Sequence, residues 1–297
     1  MGNQTLREYI ENNRLSMQDA ARLIGVDKSQ VVKVCTRTYT KWEEKEVEFI
    51  EKLRQAGYTQ TIPQGISIDT DVLVLTPSVS NFQALADDLS NPEGTMSSSI
   101  GMAIGTAERG KSHSSHWYVQ QNPNAAYVLY VDGSTKVQLL RDICDAIAHT
   151  RPYSFGHCLS TLEETCKYNR KLIIIDEADK LPVSHLEMLR GINERCNLPI
   201  LLVGEEGLKT KTDRVPRLRS RIRQPIVLFE RAISVDVIAY YHEAAGIDID
   251  RPTAEKLVKH ANGGFRSIVN DSIAISKMSK ASGINTITEN MLEKLIA

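Results

Sequence analysis

The sequence predicts an α/β fold with a parallel sheet, set between two all-helical segments. Three observations predict it. First, short apolar runs alternate with helix-like stretches: Ile100–Ile104, Ala126–Val131, Leu172–Ile175 and Ile200–Val203 read as strands, the last two apolar throughout, as in a sheet buried on both faces. Second, the first of these runs leads into Gly105–Ser112 (GTAERGKS), and the third ends in Asp176–Asp179 (DEAD). Third, residues 1–57 and 231–297 show helical spacing and no such strands.

Gly105, four free positions and then Gly110-Lys111-Ser112 make the phosphate-binding loop pattern. Its glycines let consecutive backbone N–H groups turn inward toward phosphate oxygens, so Thr106, Ala107, Glu108 and Arg109 act through their backbone. Lys111 supplies a point charge for the β- and γ-phosphates, and Ser112 a hydroxyl for Mg²⁺. The following helix, expected over His113–Gln121, presents its N-terminus to the same anion. ATP and Mg²⁺ are therefore the expected ligands.

Leu172–Ile175 followed by Asp176-Glu177 is the Walker B pattern, at the carboxyl end of a strand where open α/β sheets place their ligands. Asp176 is the candidate for the Mg²⁺ shell. Glu177 is the candidate for orienting and deprotonating an attacking water.

Around these motifs, Val72–Leu75 reads as a strand or an extended lead-in, and Ser80 as the cap of a helix over Asn81–Leu89 that ends by Pro92 and the polar stretch Thr95–Ser99. Helices are expected over Val137–His149, Leu159–Tyr168 and Glu187–Arg195.

Composition sets limits on the rest. The chain has 297 residues, 41% of them hydrophobic and 25% charged, with a formal net charge of −1. No global field draws it to nucleic acid, so DNA contact has to come from local basic patches. Five scattered cysteines without a CxxC argue against a disulfide framework and a zinc site, and fit a reducing cytosol. No apolar run reaches the ~18 residues of a membrane span. The first residues, Met1–Arg7, carry no signal-peptide core.

At the N-terminus, helices are expected over Thr5–Asn13, from Met17 after the cap Ser16, over Lys28–Arg37 and over Trp42–Ala56, the last resting on Val47, Ile50 and Leu53. Helix, Gly25-containing turn and helix form a helix-turn-helix pattern. The phrase Gln18–Lys33 resembles the helix-turn-helix of phage repressors. That resemblance implies that Lys28, Ser29, Gln30 and Lys33 face a major groove; a small helical interaction module is the other reading. Residues 58–71, with Pro63 and Gly65, read as a tether. The C-terminal helices are expected over Val235–Ala245, Thr253–Asn262, Phe265–Lys280 and Thr288–Ile296.

Two further segments carry a resemblance. Leu218-Arg-Ser-Arg-Ile222, inside a basic run from Lys209 to Arg223, resembles the arginine-finger segment of AAA+ ATPases, with Arg221 first and Arg219 second as the finger; a nucleic-acid-facing basic strip is the alternative. Gly263-Gly-Phe-Arg266 resembles the sensor 2 motif of the AAA+ lid, which implies that Arg266 contacts the γ-phosphate. Phosphate loop, Walker B, Arg-Ser-Arg and Gly-Gly-x-Arg occur in AAA+ order. The chain is thus similar to AAA+ ATPases over residues 72–297, with a core at 72–230 and a helical lid at 231–297. With the N-terminal helices, it resembles the phage Mu B family of transposition proteins.

That resemblance implies ATP-dependent helical homo-oligomers on largely non-specific double-stranded DNA, capture of target DNA for a DDE-type transposase and stimulation of that transposase, with ATP hydrolysis releasing the assembly. It implies DNA contact near Thr135, Lys136 and Arg151. A helicase loader or replication initiator, and a helix-turn-helix regulator whose ATPase domain only oligomerises, remain alternatives. One departure stands out: where AAA+ proteins carry a polar sensor 1 residue, this chain has Gly204-Glu205-Glu206, and a carboxylate there repels phosphate.

Overall fold

A computed structural model of the chain describes residues 5–13, 15–58, 65–90, 99–168 and 170–296. Helices α1 (Leu6–Asn12), α2 (Met17–Ile24), α3 (Lys28–Cys35) and α4 (Trp42–Gln55) lead. They are followed by α5 (Pro77–Ser90), β1 (Ile100–Ile104), α6 (Lys111–Gln121), β2 (Ala125–Leu129), α7 (Lys136–Ala148) and α8 (Phe155–Tyr168). Next come β3 (Leu172–Asp176), a 3-10 turn at Ala178–Lys180, α9 (Val183–Cys196), β4 (Ile200–Gly204), α10 (Gly207–Asp213), α11 (Pro216–Arg219) and β5 (Val227–Leu228). Helices α12 (Ser234–Ala245), α13 (Arg251–His260), α14 (Phe265–Ser282) and α15 (Glu289–Ile296) complete the order. Contacts divide the chain into two compact units, Asp69–Ser272 and a second made of Met1–Ile68 with Ile273–Ala297. The boundary falls inside α14, so the segment 231–297 is shared between the units.

In the larger unit all five strands are parallel, in the order β2-β3-β4-β1-β5. The pleat sends alternate side chains to opposite faces. Ile100, Met102, Ile104, Ile173, Ile175, Ile200 and Leu202 face one core, with Leu140, Ile143, Leu162, Leu186 and Leu189 of α7, α8 and α9. Ala103, Leu172, Ile174, Leu201 and Val203 face the other, with Phe82, Leu85 and Leu89 of α5 and Tyr118 of α6. Both faces are covered, which is why these strands read as unbroken apolar runs. Helices α12 and α13 and the start of α14 form a helical layer of the same unit, with Tyr240, Tyr241, Leu257 and Ile268 buried.

In the smaller unit, α1 opens with a capping box between Thr5 and Glu8. Helix α2 ends at Gly25 in the left-handed region (φ 77°), and Asp27 caps α3 by accepting from the Ser29 N–H at 2.7 Å. The core gathers Leu6, Tyr9, Ile10, Ala20, Ala21, Ile24, Val31, Val34, Phe49 and Leu53. Here the expected inner face of α4 is corrected. Phe49 is buried and Val47 is 70% exposed, because Phe49 and Leu53 at i, i+4 set the inward stripe and Val47 falls outside it. Of the tether reading, residues 59–64 lie outside the described residues. Ile66 is docked on α14: its N–H donates to Ser279 Oγ and its carbonyl accepts from Ser276 Oγ, both at 2.7 Å.

Several boundaries differ from expectation, each for a local reason. Residues 72–75 form no strand; the chain turns tightly into α5, with the Thr76 N–H donating to the Val74 carbonyl at 2.9 Å. That helix starts at Pro77 rather than Asn81, since Thr76 Oγ1 accepts from the Val79 N–H at 3.3 Å and Pro77 suits a first helical position. Ser80 lies inside the helix, and the Pro92 and Thr95 part of its expected stop lies outside the described residues. Helix α8 starts at Phe155 because Ser154 Oγ accepts from the His157 N–H at 3.3 Å. Helix α9 starts at Val183 because the Pro182 carbonyl accepts from His185 and Leu186. Strand β5 was not expected; it is two residues long and is held by β1. All five cysteines are free. Among the described residues no helix is long and apolar enough to cross a membrane.

Phe82 tests the second core. It is fully buried, with edge contacts to Tyr118 at 6.3 Å and Phe229 at 5.7 Å between ring centroids. Phe82→Ala is expected to destabilise this unit by about 3–5 kcal/mol, while Lys136→Ala, on an exposed site, stays within about 0.5 kcal/mol. Chemical denaturation of the two variants checks this.

Candidate nucleotide site

Strand β4 lies between β1 and β3, so the loop after β1 and the acidic turn after β3 flank the end of β4. Their residues line one cavity of about 450 Å³. Ala107, Glu108, Arg109, Gly110, Lys111, Ser112 and His113 come from the loop and the start of α6. Asp176, Glu177 and Asp179 come from the end of β3, Gly204 and Glu205 from the end of β4, and Arg266 from the start of α14. The sequence-predicted loop, Walker B pair and Arg266 therefore meet. Gly105 and Thr106 stand behind them as carbonyl acceptors.

Helix α6 begins at Lys111, two residues before the expected His113, with Gly110 at φ 88° entering it. The Lys111 ammonium donates to the Gly105 and Thr106 carbonyls, each at 2.7 Å. Burial pushes its pKa down, and Glu205, Asp176, Asp179 and Glu177 push it back up. Ser114 and Ser115 donate their hydroxyl protons to the Gly110 and Lys111 carbonyls at 2.9 Å; Ser112 and Ser114 both line the cavity, and the Ser114 proton is thus already committed to the helix backbone.

The acidic turn is held at each position. Asp176 Oδ2 accepts from the Tyr127 hydroxyl at 2.9 Å, and Oδ1 from the Glu177 N–H at 2.8 Å. Burial, and then the Asp176 charge, raise the Tyr127 pKa, so this phenol stays a donor. The His116 ring lies on the Tyr127 ring at 4.0 Å. Glu177 pairs with Lys180 at 2.9 Å. Asp179 Oδ1 accepts from the Glu205 N–H at 2.9 Å. A Cβ on Gly204 would sit 2.6 Å from that same oxygen and 2.8 Å from the Asp179 backbone N, so glycine is required directly before Glu205, the residue at the sensor 1 place. Asp179, Tyr127 and Gly204 were missed by the sequence reading. Only the fourth letter of DEAD hinted at one of them.

The cavity has an apolar end. Val72, Leu73, Val74 and Val79 line it together with Tyr240, Phe265 and Val269. Residues 72–74 of the run read as a strand or lead-in are thus a wall of the cavity, with an apolar surface suited to a nucleobase, while Leu75 is exposed. At the polar end the donors fit Mg²⁺: one hydroxyl (Ser112) and one carboxylate (Asp176) are hard oxygen ligands, the sparse protein set that this ion takes when phosphates and waters complete its shell. Among the described residues no cluster of three or more His, Cys, Asp or Glu could hold a metal on its own.

The remaining predicted residues lie elsewhere. Arg221 pairs with Glu194 at 2.7 Å and Arg219 with Asp213 at 3.6 Å, both outside their own chain's cavity. Lys28, Ser29 and Lys33 are exposed on α3, with Gln30 half-buried beside them. Thr135 caps α7, accepting from the Gln138 N–H at 3.2 Å, and Lys136 is exposed at its first turn. Arg151 is held by Asp142, with Asp145 at 3.9 Å.

Residues 95–211 match the AAA domain family. The chain is 29% identical over 130 residues to a potential ATP-binding protein of Staphylococcus aureus, an alignment covering 41% of this chain and 48% of that one. The chain thus spans about half the length of that relative. It is 25% identical over 214 residues to the Mu-like prophage FluMu DNA transposition protein B of Haemophilus influenzae, covering 69% of this chain and 70% of the other. Among solved structures it is similar to Cdc6p of Pyrobaculum aerophilum, with a TM-score of 0.60 at 12% identity over 77% of this chain and 71% of that one. The ORC2 protein of Aeropyrum pernix in ADPNP–ADP complexes gives 0.58 at 14% identity, over 80% and 71%. Residues 95–211 thus resemble an AAA domain, within an α/β P-loop fold of the AAA+ kind.

Proposed function

We propose that this chain is an AAA+ ATPase that assembles on double-stranded DNA when it binds ATP, and presents that DNA to a partner transposase. The observation that carries the reading is the convergence of Lys111, Ser112, Asp176, Glu177 and Arg266 on one cavity with an apolar end. ATP with Mg²⁺ supplies the phosphoanhydride to be cleaved. Lys111 and the N-terminus of α6 receive the phosphates, Ser112 and Asp176 hold the cation, and Arg266 reaches the terminal phosphate. Glu177 takes the proton of the attacking water. Arg221, with Arg219 second, serves the cavity of a neighbouring copy; neither lines the cavity of its own chain, which is consistent with that role. Glu205 beside the phosphates and Lys180 on Glu177 keep hydrolysis slow until a partner rearranges them. Similarity to a protein named for DNA transposition supports the choice of process. Helices α2 and α3, joined by a tight turn with Lys28, Ser29 and Lys33 exposed, support the choice of ligand.

Negative-stain microscopy with non-specific duplex DNA tests this reading. Filaments along the DNA with ATP and Mg²⁺, none without ATP, and none for Lys111→Ala are expected. Discrete particles at one site, or binding indifferent to ATP, would favour a loader or a sequence-specific regulator instead.

Glu177→Gln is expected to bind ATP normally and to lose hydrolysis by at least ~100-fold, the usual scale of a lost general base. A steady-state phosphate-release assay with parallel nucleotide titration checks this, and ordinary turnover would remove Glu177 from the role. For DNA, neutralising Lys136 and Arg151 together is expected to flatten the plot of log affinity against log salt by up to ~2 units, about one per phosphate contact. An unchanged slope means that these residues do not meet the backbone.

A further inference from the structure

Within the phosphate loop, Glu108 stands apart. Its φ is 65°, a left-handed conformation that favours glycine and that side-chain-bearing residues adopt at a cost. Its carbonyl accepts from the Phe265 N–H at 2.7 Å, and its Oε2 accepts from the Ser267 hydroxyl at 3.0 Å. Phe265 and Ser267 are the two neighbours of Arg266. One loop residue thus brackets the arginine on both sides.

The facing turn is shaped for that residue. A Cβ on Gly264 would lie 2.6 Å from Glu108 Oε2 and 3.2 Å from its Cβ, so a side chain there would displace the carboxylate from its present position. Arg109 adds a second tie: its guanidinium donates to the Asn262 carbonyl at 3.2 Å and to that of Gly263, while its Nε donates to Thr106 Oγ1 at 2.9 Å. Glycine at position 108 would relax the loop, but it would keep only the Phe265 bond. The side chain that makes the backbone unfavourable is also the one that reaches Ser267.

We propose that Glu108 and Ser267 form a latch that positions Arg266, so that the phosphate loop sets how well the arginine distinguishes a nucleoside triphosphate from a diphosphate. Glu108 and Ser267 are positioning residues here; Arg266 makes the contact. The proposal rests on the reading of Arg266 as the terminal-phosphate contact given above. Because both bonds attach to the loop that wraps the phosphates, any turn of Glu108 is carried into the Arg266 backbone through its two neighbours.

The experiment compares the affinities of the full-length chain for a non-hydrolysable ATP analogue and for ADP, both with Mg²⁺. The variants are Ser267→Ala, Ser267→Thr, Glu108→Gln, Arg266→Ala and the double variant Ser267→Ala/Arg266→Ala. Arg266→Ala is expected to lower the triphosphate-to-diphosphate ratio. Ser267→Ala is expected to lower it about threefold to tenfold, the scale of one hydrogen bond to a charged group, with ADP affinity unchanged. Ser267→Thr restores the ratio, Glu108→Gln lowers it in part, and the double variant is no worse than Arg266→Ala alone. A ratio that falls with Arg266→Ala but holds with Ser267→Ala and Glu108→Gln overturns the latch and leaves the arginine's role intact. A ratio indifferent to Arg266→Ala removes the underlying reading, and the latch with it. Equal losses of both affinities in Ser267→Ala, without rescue by Ser267→Thr, would mean that the bond merely holds the fold.

Discussion

The burial of the Lys111 ammonium is the constraint from which the site's arrangement follows. At 9% exposure, an unpaired charge there would cost several kcal/mol. Two loop carbonyls take two of its protons, and four carboxylates supply the opposing field. Those carboxylates stand at the ends of β3 and β4, strands that come 60 to 100 residues after the loop in sequence. Only a sheet that places β4 between β1 and β3 brings them there. Strand order, a topological property, is therefore what makes a buried lysine tolerable, and the charge pattern suits the triphosphate and divalent cation of the proposed function.

The carboxylates in turn need partners, and each letter of DEAD has one. Asp176 is fixed by Tyr127, Glu177 by Lys180, and Asp179 by the Glu205 backbone. The alanine between them, Ala178, is fully buried, which leaves room for nothing larger. Lys211, a member of the basic run, adds its ammonium to the Leu181 carbonyl at 3.2 Å and to that of Asp179, so part of that run braces the acidic turn rather than facing solvent. Asp176 and Asp179 are thus oriented before any ligand arrives, whereas the Glu177 carboxylate is occupied by Lys180.

Much of this was legible in the sequence because its signals are local. The loop and the Walker B turn are contiguous, and strands buried on both faces announce themselves as apolar runs. What escaped was set by distant partners. Tyr127 reads as an ordinary strand residue; its role appears only against Asp176, 49 residues on. Residues 72–74 carry the composition of a strand because a cavity wall and a sheet interior select the same side chains. Strand β5, only two residues long, is too short to show a period and exists through its pairing with β1. Val47 was placed inward on hydrophobicity alone, while the larger Phe49 decided which face of α4 turns to the core.

Backbone conformation gives a further measure of where local preference yields to the site. Among the described residues, seven other than glycine have positive φ. His149 and Asn197 sit at helix C-caps, and Asn262 just beyond α13, places where the left-handed conformation closes a helix. Arg37 follows the end of α3 and Lys41 precedes α4, in the smaller unit. Glu108 and Glu177 follow no helix; one belongs to the phosphate loop, the other to the acidic turn, and both line the cavity. A side chain in that conformation persists only where its surroundings over-determine it. Here they do: the Glu177 N–H is taken by Asp176 and its carboxylate by Lys180, while Glu108 is taken at both ends by the turn that carries Arg266. The unfavourable backbone positions outside helix ends in the larger unit are thus concentrated in the two loops that would meet a triphosphate. Those are the segments whose movement a nucleotide could drive.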